Sequence, residues 1–222
     1  MSKKMIITID GPAGAGKSTV SKALAKKIGY IYLDTGALYR ALAYKALKSG
    51  IVLDDIYALD SLCSESRVVL KNVDGQMKVY VDGEDVGNKI RTEEIGLTAS
   101  KISAFAVVRK SLLQLQRETG VNGGIVAEGR DMGSVVFPDA DYKFYLNADI
   151  EERIKRRHNE LLSKGETPDL RSIRKDMISR DKQDSEREVA PLKPTSCSII
   201  IDSTKLSVRE IVEKIIRQIS EK

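Results

Sequence analysis

The chain has 222 residues, 41% of them hydrophobic, enough for one large domain or a domain with a small insert. It carries 37 Lys and Arg against 32 Asp and Glu, a net charge of +5, and no apolar run approaches the length of a membrane span. The basic start Met1-Ser2-Lys3-Lys4 leads into an apolar run of only five residues that ends at Asp10, too short for a signal peptide, and Cys63 and Cys197 lack metal spacing. Two reduced thiols and a cytoplasmic location are therefore expected.

The first strand, Met5-Ile6-Ile7-Thr8-Ile9, runs into Gly11-Pro12-Ala13-Gly14-Ala15-Gly16-Lys17-Ser18-Thr19. This is G-x-x-x-x-G-K-S between a strand and a helix, the setting of a phosphate-binding loop. Its glycines let successive N–H groups converge on phosphate oxygens, and the helix behind it adds the positive end of its dipole. Lys17 supplies a charge for the outer phosphates, and the Ser18 hydroxyl is a candidate Mg2+ ligand. The surplus positive charge has three readings: nucleic acid, solvated mixed faces, or arginines facing small anions. The loop favours the third, and no aromatic-rich strand marks an RNA platform.

The first helix runs from Lys17 to about Ile28, stopped by Gly29, and a short strand Tyr30-Ile31-Tyr32-Leu33 precedes a helix at about 36–48. Residues 67–90 read as a small antiparallel hairpin or meander, with turns at Asp74-Gly75 and Asp82-Gly83. Helices are expected at about 92–103 and 106–118, then strands Ile125-Val126-Ala127 and Tyr142-Lys143-Phe144-Tyr145-Leu146. Asp149 caps the next helix, with Glu152 as its capping-box partner, and Gly165 and Pro168 interrupt before a charged helix at about 170–185. Strand Ser198-Ile199-Ile200-Ile201 and a helix capped by Ser207, with Glu210 as box partner, complete the chain. Five short apolar strands alternating with helices predict an α/β fold of the P-loop type. A parallel sheet is flanked by helices, and the ligands sit at the carboxyl ends of the strands. Gly11, Asp34, Asp131 and Asn147 fall at that rim.

Among loop-bearing classes, the chain has no D-x-x-G, and Asn88-Lys89 continues as Ile90-Arg91 rather than x-Asp, so GTPase switches are missing. No apolar strand ends in Asp-Glu as in motor ATPases. A kinase for a small metabolite remains. The segments Asp10–Lys17, Asp34-Thr35-Gly36-Ala37-Leu38-Tyr39-Arg40, Gly129-Arg130-Asp131-Met132-Gly133, Val136-Phe137-Pro138-Asp139-Ala140 and Arg180-Asp181, Asp184, Arg187, Ala190-Pro191-Leu192 resemble those of bacterial cytidylate kinases over essentially the whole chain.

That resemblance implies transfer of the ATP γ-phosphoryl group to CMP or dCMP with Mg2+. It also implies a monomer without nucleic-acid or membrane partners. It implies one domain, with a core of 1–62 and 92–222, a nucleotide-binding insert at about 63–91 and a mobile lid at about 152–168. ATP is expected on Gly11 through Thr19. Catalysis is expected from Lys17, Arg130 and a lid arginine among Arg153, Arg156 and Arg157, with Arg157 assigned. Arg40 and Arg130 correspond to holders of the acceptor phosphate, with Thr35, Tyr39 and Gly129 flanking the nucleotide. Ser100, Arg109 and Asp131 correspond to base readers, and Arg180, Asp184 and Arg187 to the acceptor's sugar and phosphate. The alternatives are a related kinase for UMP, dTMP or shikimate, or a nucleotide-gated RNA-binding regulator.

Overall fold

The computed structural model describes residues 4–73 and 76–221. In chain order the core elements are β1 (Ile6–Asp10), α1 (Lys17–Ile28), β2 (Ile31–Asp34) and α2 (Thr35–Lys48), then α3 (Ile56–Glu65), β3 (Val68–Val73), β4 (Gln76–Val81) and β5 (Glu84–Asp85). A 3₁₀ turn (Lys89–Arg91) leads to α4 (Glu93–Ile102), α5 (Ala106–Thr119), β6 (Ile125–Gly129) and a π turn (Met132–Val136). β7 (Tyr142–Asn147), α6 (Ile150–Ser163), α7 (Leu170–Glu186), β8 (Ile199–Asp202) and α8 (Val208–Ser220) follow.

Five strands form one parallel sheet in the order β2-β6-β1-β7-β8. β1 is central because β-branched residues suit a pleated strand and its Ile7 and Ile9 are fully buried. Register brings the strand ends level: Asp10 lies opposite Gly129 and Tyr145, and Asp34 opposite Glu128. The polar ends of β1, β2 and β6 therefore converge on one rim, as the alternating pattern predicts. On one face Val20 and Leu24 of α1 pack with Ile211, Val212 and Ile215 of α8. On the other, Leu33, Ile125 and Ala127 meet Met132, Val136 and Phe137.

The small antiparallel sheet β3-β4-β5 is present, and its expected Asp74-Gly75 turn lies outside the described residues. It is not an isolated flap. Val79, Val81, Val86 and Ile90 share a buried cluster with Leu38 and Leu42 of α2 and Ile102 of α4. Helix α3 was not expected. It is short, and only Leu59 and Leu62 of it are buried, too sparse a stripe to read as a period.

Two local expectations are corrected. The second strand is Ile31–Asp34, one residue later than read, because Asp34 pairs with Glu128 before capping α2 through Ala37 N–H (3.0 Å). Thr35, Tyr39 and Arg40 accordingly all sit on α2. At α6, Asp149 caps as expected, accepting from Glu151 N–H (2.8 Å), but the capping box does not form. The Asp149 N–H donates to Thr204 Oγ1 (2.9 Å), and the Glu152 carboxylate accepts from Arg156 Nε (3.0 Å). The box at Ser207 and Glu210 does form.

Gly11 turns the chain out of β1 at φ 150°, and a Cβ there would stand 2.0 Å from the Leu146 carbonyl oxygen of β7. Backbone cannot yield as a side-chain tip can. Gly11→Ala is therefore expected to lower the unfolding free energy by about 3 kcal/mol. Urea unfolding at unchanged slope checks this, and a change within about 0.5 kcal/mol would contradict it.

Candidate active site

The strand-end rim opens into one cleft of about 1040 Å³, lined from the loop after β1 to the α7 C-terminus. Twelve Lys and Arg against eight Asp and Glu line it, so the cleft favours anions.

At one end, the phosphate loop is fixed from behind. Arg153 of α6 donates to the Ala13 carbonyl (3.1 Å), the Ala148 carbonyl (3.0 Å) and Asp181 (2.5 Å). Ser203 Oγ donates to the Ala15 carbonyl (2.9 Å). Gly14, at φ 75°, has no room for a Cβ, which would meet Arg153 and Met177 at 3.0 Å. Lys17 is buried and its Nζ donates to the Pro12 carbonyl (2.7 Å). Burial lowers the Lys17 pKa to about 7, with Arg130 adding repulsion and Glu128 opposing both. Ser18 is exposed on the cleft, within reach of the buried Glu128 carboxylate, which also accepts from the Tyr32 hydroxyl. Burial and the nearby Asp34 raise the Glu128 pKa.

At the other end, Arg109 of α5 pairs through Nη2 with Asp131, and its Nη1 donates to the Ser103 carbonyl (3.1 Å). The guanidinium also lies over the Tyr39 ring, 5.4 Å from its centroid. Tyr39 thus serves core and cleft together. Ser100 presents a buried hydroxyl without a hydrogen-bond partner, while its carbonyl accepts from Ser103 Oγ (2.8 Å) and Gln183 Nε2 (2.6 Å).

Between the two ends stands a group of cations. Arg130 Nε donates to Asp184 (2.7 Å), and Arg187, one residue beyond α7, lies 3.8 Å from both Asp131 and Asp184. That spacing is too long for a hydrogen bond, and Arg187 Nη2 is buried without one. Arg180 makes no hydrogen bond or ion pair among the described residues, and burial next to Arg130 lowers its pKa to about 10. Arg40 Nη2 donates to Asp34 (2.8 Å) while its buried Nε has no partner. Buried polar atoms are normally satisfied. Four left unsatisfied on residues lining one cleft, on Arg40, Ser100, Arg180 and Arg187, describe a site built for something polar and negative.

The lid arginines divide by what holds them. Arg153 is not a swinging arm, because its guanidinium is buried and committed to the loop and to Asp181. Arg156 donates to the Ser203 carbonyl (2.6 Å) and Ser203 Oγ (3.1 Å). Among the described residues Arg157 pairs only with Glu160 of its own helix (3.0 Å), and it lines the cleft. Gly11 and Pro12 lie beneath the loop rather than on the cleft lining.

Sequence reasoning left Glu128 open and missed Asp10. An acid closing the apolar strand Ile125-Val126-Ala127, level with the phosphate loop, was the available signal for Glu128. Asp10 is buried and accepts from the Met132 (2.9 Å) and Gly133 (2.8 Å) N–H groups, which fixes the turn carrying Arg130 and Asp131. Burial pushes its pKa up to about 6 against the pull of those amides. No periodicity could reveal a contact spanning the chain from the first strand to the π turn.

Residues 7–221 match the family model described as cytidylate kinase. A cytidylate kinase of Pasteurella multocida (strain Pm70) is 46% identical over 221 residues, covering 100% of this chain and 97% of that protein. One from Citrifermentans bemidjiense is 48% identical over 209 residues, covering 94% and 90%. Among solved structures, a gluconokinase from Sinorhizobium meliloti 1021 aligns with a TM-score of 0.50 at 14% identity, covering 100% of this chain and 94% of that one, a likeness of fold alone. Whole-length agreement with the family model and with close relatives places this chain in the cytidylate kinase family.

Proposed function

We propose that this protein transfers the γ-phosphoryl group of ATP to CMP or dCMP, giving ADP and CDP or dCDP. The observation that carries this reading is the set of buried, unsatisfied donors along one cleft, running from the phosphate loop to the Arg109–Asp131 pair. ATP lies on the loop from Gly11 to Thr19, with Lys17 released from the Pro12 carbonyl onto the outer phosphates. The acceptor phosphate takes up Arg40 and Arg130, and its sugar meets Arg180, Asp184 and Arg187. Thr35, Tyr39 and Gly129 flank it.

An acceptor oxygen bonds to the γ-phosphorus as the bond to ADP breaks. A phosphate monoester with a second pKa of about 6 is already largely dianionic at neutral pH, so no general base is needed. The protein's work is positioning two polyanions in line and neutralising their repulsion. Among the described residues no three His, Cys, Asp or Glu cluster as a metal cage. The Ser18 hydroxyl, with the Glu128 carboxylate beside it, would hold Mg2+ carried in with the nucleotide, and the ion would supply charge neutralisation. Arg157, free to leave Glu160, closes over the phosphates from the lid at about 152–168, and the insert at about 63–91 closes from the acceptor side. Both motions exclude water. The protein works as a monomer in the cytoplasm, without nucleic acid or membrane. Among the described residues no helix is long and apolar enough to cross a membrane.

Base choice follows from chemistry at Asp131, Arg109 and Ser100. A carboxylate accepts from the cytosine amino group, and Arg and Ser donate to its ring acceptors. Uracil inverts both groups, leaving buried polar atoms opposed. ADP release with ATP, Mg2+ and a panel of monophosphates tests the reading. Turnover is expected with CMP and dCMP, with kcat/KM at least about 100-fold below that for CMP on UMP. Turnover of another acceptor with CMP left untouched, or hydrolysis stimulated by RNA, would contradict it.

Lys17 gives a proton-linkage test. Its pKa of about 7 in the free protein makes it mostly neutral at pH 8, and a triphosphate beside it restores the ammonium form. ATP binding at pH 8 is therefore expected to take up about one proton, falling toward none at pH 5.5, where Lys17 is already charged. Calorimetric titrations in buffers of different ionisation enthalpy measure this. Identical apparent enthalpies in all buffers at pH 8 would contradict it.

A further inference from the structure

Gln183 of α7 reaches the candidate site from behind. Its side chain is half-buried, and it is not among the described residues that line the cleft. Its Nε2 donates to the Ser100 carbonyl (2.6 Å) on α4. A carbonyl only accepts, so the amide must present its nitrogen there.

That carbonyl lies in the last turn of α4, where helix geometry leaves C=O groups without backbone partners. The amides that follow close on other residues. Ser103 N–H bonds the Ala99 carbonyl, Ala104 N–H the Lys101 carbonyl and Phe105 N–H the Ile102 carbonyl. Ser100 is buried, and its carbonyl accepts from Gln183 and from Ser103 Oγ (2.8 Å). The same turn carries two groups that face the base in the reading above. One is the Ser100 hydroxyl, buried and without a hydrogen-bond partner. The other is Arg109, whose Nη1 donates to the Ser103 carbonyl (3.1 Å) while Nη2 pairs with Asp131.

Ser103 could cap the Ser100 carbonyl from within α4. The second donor comes instead from α7, the helix that carries Arg180 and Asp184. The Gln183 carbonyl also accepts the Arg187 N–H (3.1 Å). One residue thus holds the Ser100–Ser103 turn with its side chain and Arg187 with its backbone.

We propose that Gln183 is a positioning residue for base selection. It fixes the Ser100–Ser103 turn against α7, and through that turn it aims the Ser100 hydroxyl and the Arg109 guanidinium at the cytosine ring. The inference rests on the functional reading above and extends it to a residue that touches no substrate.

The test is steady-state kinetics with CMP and UMP for wild type, Gln183→Leu and Gln183→Lys, with thermal unfolding of each protein. Leucine removes the donor at similar size, and lysine restores a donor. Gln183→Leu is expected to raise KM for CMP about tenfold, the scale of one neutral hydrogen bond, with kcat and KM for ATP unchanged. The CMP-to-UMP ratio of kcat/KM is expected to fall about tenfold, because cytosine loses aligned contacts while those opposing uracil relax. Gln183→Lys is expected to recover part of both effects. A CMP-to-UMP ratio unchanged in Gln183→Leu overturns the proposal. So does an equal loss for CMP, UMP and ATP with a lower unfolding temperature, which marks a helix cap and no more. A wild-type chain without preference for CMP would contradict the functional reading itself, and is distinguishable from either result.

Discussion

Positive charge held in a partly closed cleft with too few anions to match it is the constraint on which this structure depends. Arg130 and Arg180 lie close enough to lower the proton affinity of Lys17, Arg130 also lowers that of Arg180, and Arg180 makes no hydrogen bond or ion pair among the described residues. Burying unpaired charge is expensive, so the fold must hold these groups by other means. It does so with long-range ties: Asp184 on Arg130, Asp10 on the turn that carries Arg130 and Asp131, and Arg153 on the back of the phosphate loop. On the proposed function, that cost becomes affinity once phosphates enter, because Arg130, Arg180 and Arg187 already line the cleft.

The sheet makes this arrangement possible. A parallel register brings the ends of β1, β2 and β6 level, so loops distant in sequence open on one rim. The small antiparallel sheet shares its hydrophobic cluster with α2 and α4, which ties it to the core through Ile90 and sets Arg91 beside Asp34. The two ends of the cleft are joined through α7, whose Gln183 bonds the Ser100 carbonyl while Asp181 and Asp184 hold Arg153 and Arg130.

What the amino-acid sequence made legible was whatever is encoded locally. The phosphate loop, the five apolar strands and the Ser207–Glu210 box depend on neighbours within a few residues, and they stand where spacing puts them. The pair Arg109 and Asp131 and the α7 group were reachable only through a resemblance, yet they converge in space. Illegible features depended on partners far along the chain. Thr204 takes the Asp149 N–H and so displaces the expected capping box, and Ala13 and Asp181 take Arg153 out of the lid. Glu128 acquires its place only when β6 pairs with β1 beside the loop.

The central claim, that the cleft trades stability of the free protein for readiness to bind phosphates, is tested most directly by thermal unfolding of wild type and Arg180→Met, with and without ATP plus CMP. Methionine keeps the unbranched stem as far as the Nε position and removes a half-buried guanidinium whose buried Nε has no hydrogen-bond partner. The account predicts that the free variant unfolds about 3 °C higher than free wild type, and that the nucleotides raise its unfolding temperature far less than they raise that of wild type. A free variant that unfolds lower, with stabilisation by the nucleotides undiminished, would contradict it.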